Sequence, residues 1–229
     1  MINLDALGLT RLLQLASPAL PVGAYSYSQG LEAAIEHGLV QDAAGAECWI
    51  RDVLGYTVGS FEAPLLWRMS GALKQGNAAA FARWNTIFRA GRETAELRTE
   101  TLQMGRALSI IINDLQYFRE ADLEMLRGIE GLTFPAAFAF AAYHMRIDAL
   151  AAQIAYLWSW LENQVMAALK AMPLGQTAGQ RILASIGADL PATAELATRL
   201  ADDELSNFAP GLAIASSRHE TQYSRLFRS

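Results

Sequence analysis

Residues 147–169 read IDALAAQIAYLWSWLENQVMAAL. Leu150, Ile154, Leu157, Trp158, Leu161, Val165 and Leu169 recur at the i, i+3, i+4, i+7 spacing of one helix face. The remaining faces hold Ala149, Ala151, Ala152, Ala155 and Trp160, so this helix is apolar almost all round and belongs in the middle of a bundle. At about 1.5 Å per residue it spans roughly 33 Å, the width of a small domain. No apolar–polar alternation of strand type, repeat or low-complexity segment competes with it.

Working outward, residues 4–16 carry Leu4, Leu7, Leu12, Leu13 and Leu15, and a helix over 26–37 ends at Gly38, a C′ glycine. Asp42 reads as the N-cap of a long segment to about 72, broken near Gly59-Ser60 and Pro64. Asn77 caps the next, to about 92, and helices follow over 95–118, 122–129, 135–146, 176–186 and 191–203, the last with Pro191 at its first position. Connections are short. The expectation is an all-α fold, one compact bundle of about nine to ten helices, with residues 1–229 as a single domain. Helical patterning stops around Phe208-Ala209-Pro210-Gly211, so 208–229 reads as a C-terminal interaction tail.

Composition narrows the function classes. Of 229 residues, 52% are apolar and only 18% charged, so there is extra apolar surface to bury in a core or against partners. A net charge of −5 offers no electrostatic footprint for nucleic acid. The single Cys48 excludes an intramolecular disulfide and fits a reducing compartment. Met1-Ile2-Asn3-Leu4-Asp5 lacks a signal peptide's basic start and apolar run, and neither apolar stretch, 134–143 or 149–161, reaches the 18 or so residues that span a bilayer. The chain reads as soluble and cytoplasmic, with no membrane partner.

Chemistry-bearing motifs are scarce. There is no Gly-Lys dipeptide and so no Walker A loop. His37, His144 and His219 stand far apart in sequence from one another and from Cys48, which argues against a metal site or metal cofactor. Arg92 to Glu100 gathers three carboxylates, but Arg89 with Glu93 and Arg92 with Glu96 are i,i+4 pairs, the pattern of a solvated ladder. Gly55 and Gly59 allow close helix approach, within the chain or between copies. Trp49, Trp67, Trp84, Trp158 and Trp160 sit in helical phase and read as core.

Two stretches point to recognition instead. Pro18, Pro21 and Gly23 fix a rigid loop that presents Tyr25 and Tyr27, although a buried helix-start role competes, more so for Tyr27. The end of the chain holds Arg218, His219, Glu220, Tyr223, Arg225, Leu226, Phe227 and Arg228, a mixture of arginine and large apolar side chains that concentrates in interfaces. Either another molecule grips this tail, or the tail docks on its own domain; composition leaves both open.

Four blocks carry a resemblance to a known family: LASPALPVGAYSYSQGLE at 15–32, RETAELRTETLQMG at 92–105, YLWSWLENQVMAALKAMPLGQTAGQRIL at 156–183 and AIASSRHETQYSRLFRS at 213–229. In order and spacing they resemble the urease accessory protein UreF family. Phe134 stands where family members often have a polar residue before the proline, so no polar role attaches to it. The resemblance implies a non-catalytic helical scaffold without cofactor. Such a protein forms a homodimer, binds UreD (also called UreH), and with it recruits the GTPase UreG to deliver nickel, supplied by UreE, to apo-urease. It also implies that the tail and the Tyr25 loop face partners, with Tyr25 and Arg225 at the GTPase contact. An arginine finger from Arg218, Arg225 or Arg228 is one form such a contact takes, a purely structural arginine the commoner one.

An enzyme of thiaminase-like or haem-oxygenase-like type is the alternative for an all-helical chain of this size. Cys48 beside Glu47 is its only candidate nucleophile, and a neighbouring carboxylate disfavours the thiolate.

Overall fold

The computed structural model describes residues 2, 4–115 and 117–229. Met1 and Asn3 of the opening stretch, and Gln116 within the expected 95–118 helix, lie outside the described residues. Described residues fold into helices joined by short loops, with no strand among them. The helices are α1 (Ala6–Ala16), α2 (Leu31–Glu36), α3 (Ala43–Val53), α4 (Ala63–Lys74), α5 (Ala78–Ala90), α6 (Ala95–Asp114), α7 (Glu120–Arg127), α8 (Phe134–His144), α9 (Ala149–Ala171), α10 (Gln176–Gly187), α11 (Leu190–Ala197) and α12 (Pro210–His219). A π-helical stretch, Leu54–Glu62, joins α3 to α4, so those three form one rod. Counting that rod once and leaving aside the six-residue α2 gives ten helices among the described residues, in line with the expected nine to ten. None is long and apolar enough to cross a membrane.

Local chemistry sets the boundaries. Asp5, Asp42, Asn77, Thr94 and Asp148 each accept a backbone N–H from the first turn of the helix that follows, satisfying donors that have no intrahelical partner. Gly38 leaves α2 at φ +71°, the left-handed geometry of a helix-ending glycine. Pro64, Pro135, Pro191 and Pro210 sit in first turns, where their missing N–H costs nothing.

Helix α9 is the axis of the bundle, packing against α1, α2, α3, α4, α8, α10 and α11. It serves two apolar clusters at once. Tyr156 and Ala152 join α4, α5, α6 and α8 around Phe81, Phe88, Leu108, Phe138 and Phe140. Leu157, Leu161 and Val165 join α2, α3, α10 and α11 around Leu31, Ile50, Ile186 and Leu190. Dividing the faces of one helix between two clusters is what an all-round apolar sequence permits.

Three expectations are corrected here. No break occurs at Gly59-Ser60 or Pro64; the chain widens into the π stretch and runs on as helix. Of the five tryptophans Trp160 is buried, Trp49 and Trp84 pack partly buried against the clusters, and Trp158 is 39% exposed, because α9's outward face also lies in helical phase. Finally, helical structure does not stop at Phe208, since Pro210–His219 is a helix.

Candidate functional site

The C-terminal segment lies in a polar cradle built by α2 and the start of α6. Helix α12 packs on α2 through Leu212, Ala215, Ser216 and His219. That close packing passes over Gly30, whose φ is +79° and where a Cβ would stand 3.1 Å from the Ser216 nitrogen. His219 is wholly buried between two carboxylates: Nδ1 is 2.7 Å from Glu96 Oε2 and Nε2 is 3.1 Å from Glu32 Oε2. His219 thus bridges Glu32 and Glu96.

After His219 the chain turns back over the cradle. Glu32 accepts the backbone N–H of Leu226 at 2.7 Å and of Phe227 at 3.0 Å. Arg225 Nη1 donates to Glu96 Oε1 at 2.8 Å. The Arg228 N–H donates to Ser26 O at 2.8 Å, and Ser28 donates to Ser229 O from its backbone at 2.7 Å and its hydroxyl at 2.6 Å. Ser229 Oγ donates to Glu100 Oε2 at 2.8 Å. At the other side, Glu220 accepts the Ala95 N–H at 3.0 Å and so caps α6.

The ten residues predicted as partner-binding therefore divide. His219, Phe227 and Tyr27 face inward: His219 in the carboxylate pair, Phe227 in the α2/α3/α9 cluster, and Tyr27 buried with its hydroxyl donating to Gln103 Oε1 at 2.7 Å. Burial and the nearby Glu100 raise the Tyr27 hydroxyl above its ordinary pKa. These three are buried within the chain, where His219 and Phe227 anchor the tail. Arg218, Glu220, Tyr223, Arg225, Leu226 and Arg228 are exposed, with Leu226 at 70% and Tyr223 fully so. Tyr25 is 67% exposed beside them. Lys170 ties Tyr25 to the tail, its ammonium 5.6 Å from the Tyr25 ring centre and 5.7 Å from that of Phe227.

The 92–100 ladder does not form. Thr94 caps α6, which places Arg92 before the helix, where it is buried against Glu62. Tyr156 donates to the same carboxylate at 2.7 Å. Glu96 and Glu100 turn to the tail, and burial pushes Glu100 up to about 7 even with Arg92 near. Glu32, Glu96 and Glu100 hold the tail, a role that sequence reasoning missed. The usable signal was a pair of carboxylates spaced i, i+4 on α6, Glu96 and Glu100, together with a tail rich in arginine.

A model of the UreF family matches residues 40–187. Among curated proteins, the urease accessory protein UreF of Azoarcus sp. (strain BH72) is 57% identical over 225 residues, spanning 97% of this chain and 96% of the relative. The chain belongs to the UreF family. Two other UreF relatives, from Janthinobacterium sp. (strain Marseille) and Methylobacillus flagellatus, are 50% and 49% identical over 226 and 221 residues. They span 99% and 96% of this chain and 100% and 97% of their own lengths. The UreF match at 40–187 covers the framework from α3 to α10, whereas the Tyr25 loop and the tail flank it.

Proposed function

We propose that this chain is a urease-maturation scaffold. Together with a UreD/UreH-type partner it recruits a UreG-type GTPase and couples GTP hydrolysis to nickel insertion into apo-urease. In this reading it acts as one domain and as a homodimer in the cytoplasm, and breaks no covalent bond itself. One observation carries the reading. The tail backbone is pinned at Leu226 and Phe227 by the buried Glu32, while the side chains of Tyr223, Leu226 and Tyr25 are exposed. Holding large apolar side chains still in water removes the ordering cost that a partner would otherwise meet on binding. Exposed arginines beside them suit an acidic partner. Coupling to GTP requires only that the scaffold bind one nucleotide state better than the other.

The enzyme alternative gains nothing from the geometry. Cys48 is exposed with Asp52 Oδ2 3.9 Å from its sulfur, and His144 packs among Phe118, Phe140 and Tyr143 beside Asp122.

The test is co-purification from cells expressing a whole urease operon. Tyr25→Ala and Leu226→Ala should each keep the fold and weaken capture of the GTPase by about 30-fold, the size of a hot-spot truncation. Unchanged capture by both would overturn the assignment.

A further inference from the structure

Away from the tail, an open groove of about 360 Å³ runs between α6, α7 and the loop that leads into α8. Leu102, Leu126, Ile129 and Leu132 give it an apolar lining, and Arg106 and Arg127 give it charge. Gly105 has no side chain, which lets the Leu132 carbonyl lie close against α6 and sets the position of that wall. At about 100° per residue, Leu102, Arg106, Ser109 and Asn113 share one side of α6. Glu96 and Glu100, which hold the tail, lie roughly a third of a turn away from them. The groove and the surface at Tyr25 and Leu226 therefore have no lining residue in common.

Arg127 is held in place. Its Nε and Nη2 donate to Asn113 Oδ1 at 3.2 and 2.6 Å, and its Nη1 donates to Glu120. Those bonds use three of five N–H groups and leave two. Arg106 is exposed, and among the described residues nothing accepts a hydrogen bond from its guanidinium. No carboxylate lines the groove; Glu130, between two lining residues, turns to Arg89 at 3.7 Å. On a chain of net charge −5 this is a local reversal of sign, and it favours an acidic partner.

Spacing selects the partner's shape. Asn113, which anchors Arg127, stands seven residues after Arg106, or about 10 Å along α6. Side chains on a helix lean toward its N-terminus, so Arg106 reaches away from Asn113 and a single carboxylate cannot serve both arginines. Acidic residues at i and i+7 of another helix are separated by the same distance of about 10 Å. Positions i+3 and i+4 then fall between them on one face and meet the apolar lining. We propose that this groove docks an acidic amphipathic helix of another protein, with carboxylates at i and i+7 and apolar side chains at i+3 and i+4.

The test is fluorescence anisotropy, titrating the full chain into a labelled alanine-based peptide of about eighteen residues, long enough to hold a helix. The peptide carries Glu at i and i+7 and Leu at i+3 and i+4; a second peptide carries Lys in both acidic positions. The Glu peptide should bind saturably, about tenfold or more tighter than the Lys peptide. Arg106→Glu should weaken the Glu peptide about fivefold or more, and exchanging a single Glu of the peptide for Lys, at one end only, should recover most of that loss. Ser109→Phe should block the groove at unchanged melting temperature, since the Ser109 hydroxyl bonds only to the Arg106 carbonyl. Tyr25→Ala should bind the peptide like wild type, so this result stands or falls apart from the scaffold contact. The proposal is overturned if the Glu peptide fails to saturate at millimolar concentration or the Lys peptide binds as tightly. It is also overturned if folded Arg106→Glu or Ser109→Phe protein binds like wild type. Displacement of the peptide by an equal concentration of sebacate would make the occupant a small dicarboxylate and overturn it too.

Discussion

Glu32 commits both carboxylate oxygens to the tail, and no other side chain holds it at as many points. Replacing it leaves the Leu226 and Phe227 N–H groups and His219 Nε2 without their partner, while His219 Nδ1 keeps Glu96. Glu32→Ala is therefore expected to make the segment after His219 sensitive to limited proteolysis while the α9-centred framework stays resistant. Glu100 answers to pH. Its carboxyl is raised from 4.5 to about 7, so the folded state holds a proton that the unfolded chain has lost. Stability from this group is complete below pH 4.5 and is lost as pH rises through 7, by an amount on the order of 3 kcal/mol. Glu100→Gln keeps an acceptor for Gln29 and gains a donor for Ser229. It should be more stable than wild type at pH 8, with the advantage gone near pH 4.5, as read by chemical denaturation. A constant difference across that range would contradict the assignment.

At the scale of elements, legibility followed the apolar stripe. Helix α9 could be read because Leu150 to Leu169 keep helical phase with no interruption. Helix α12 could not, because the face it buries is Leu212, Ala215, Ser216 and His219, half of it polar. Nor did the Glu62–Arg92 pair show, since its members stand 30 residues apart and meet only through tertiary packing. The nearer pairing of Arg92 with Glu96 was plausible until the Thr94 cap put the two on different elements. Close approach of elements is equally invisible in sequence. A Cβ on Gly105 of α6 would lie 2.3 Å from Leu132 O and 2.7 Å from the Thr133 carbonyl carbon, at the start of α8. Gly105→Ala must therefore push two backbones apart and should cost about 2 kcal/mol or more. Gly71 of α4 has nothing within 4 Å of such a Cβ, so Gly71→Ala should stabilise by roughly 0.5–1 kcal/mol. Paired denaturation curves compare the two.

For the whole molecule, the tail belongs to both fold and surface. Phe227 completes one apolar cluster, and the tail backbone satisfies Glu32, so deleting residues 218–229 would destabilise the chain as well as strip its contact face. Outward point substitutions separate the two effects. Urease purified from cells in which Tyr25→Ala/Leu226→Ala replaces the wild-type chain is the most direct measurement, with nickel counted per active site. A protein with unchanged melting temperature and largely nickel-free urease is the predicted result. Fully nickel-loaded urease in those cells would contradict the claim that this rigidly held surface is how the molecule works.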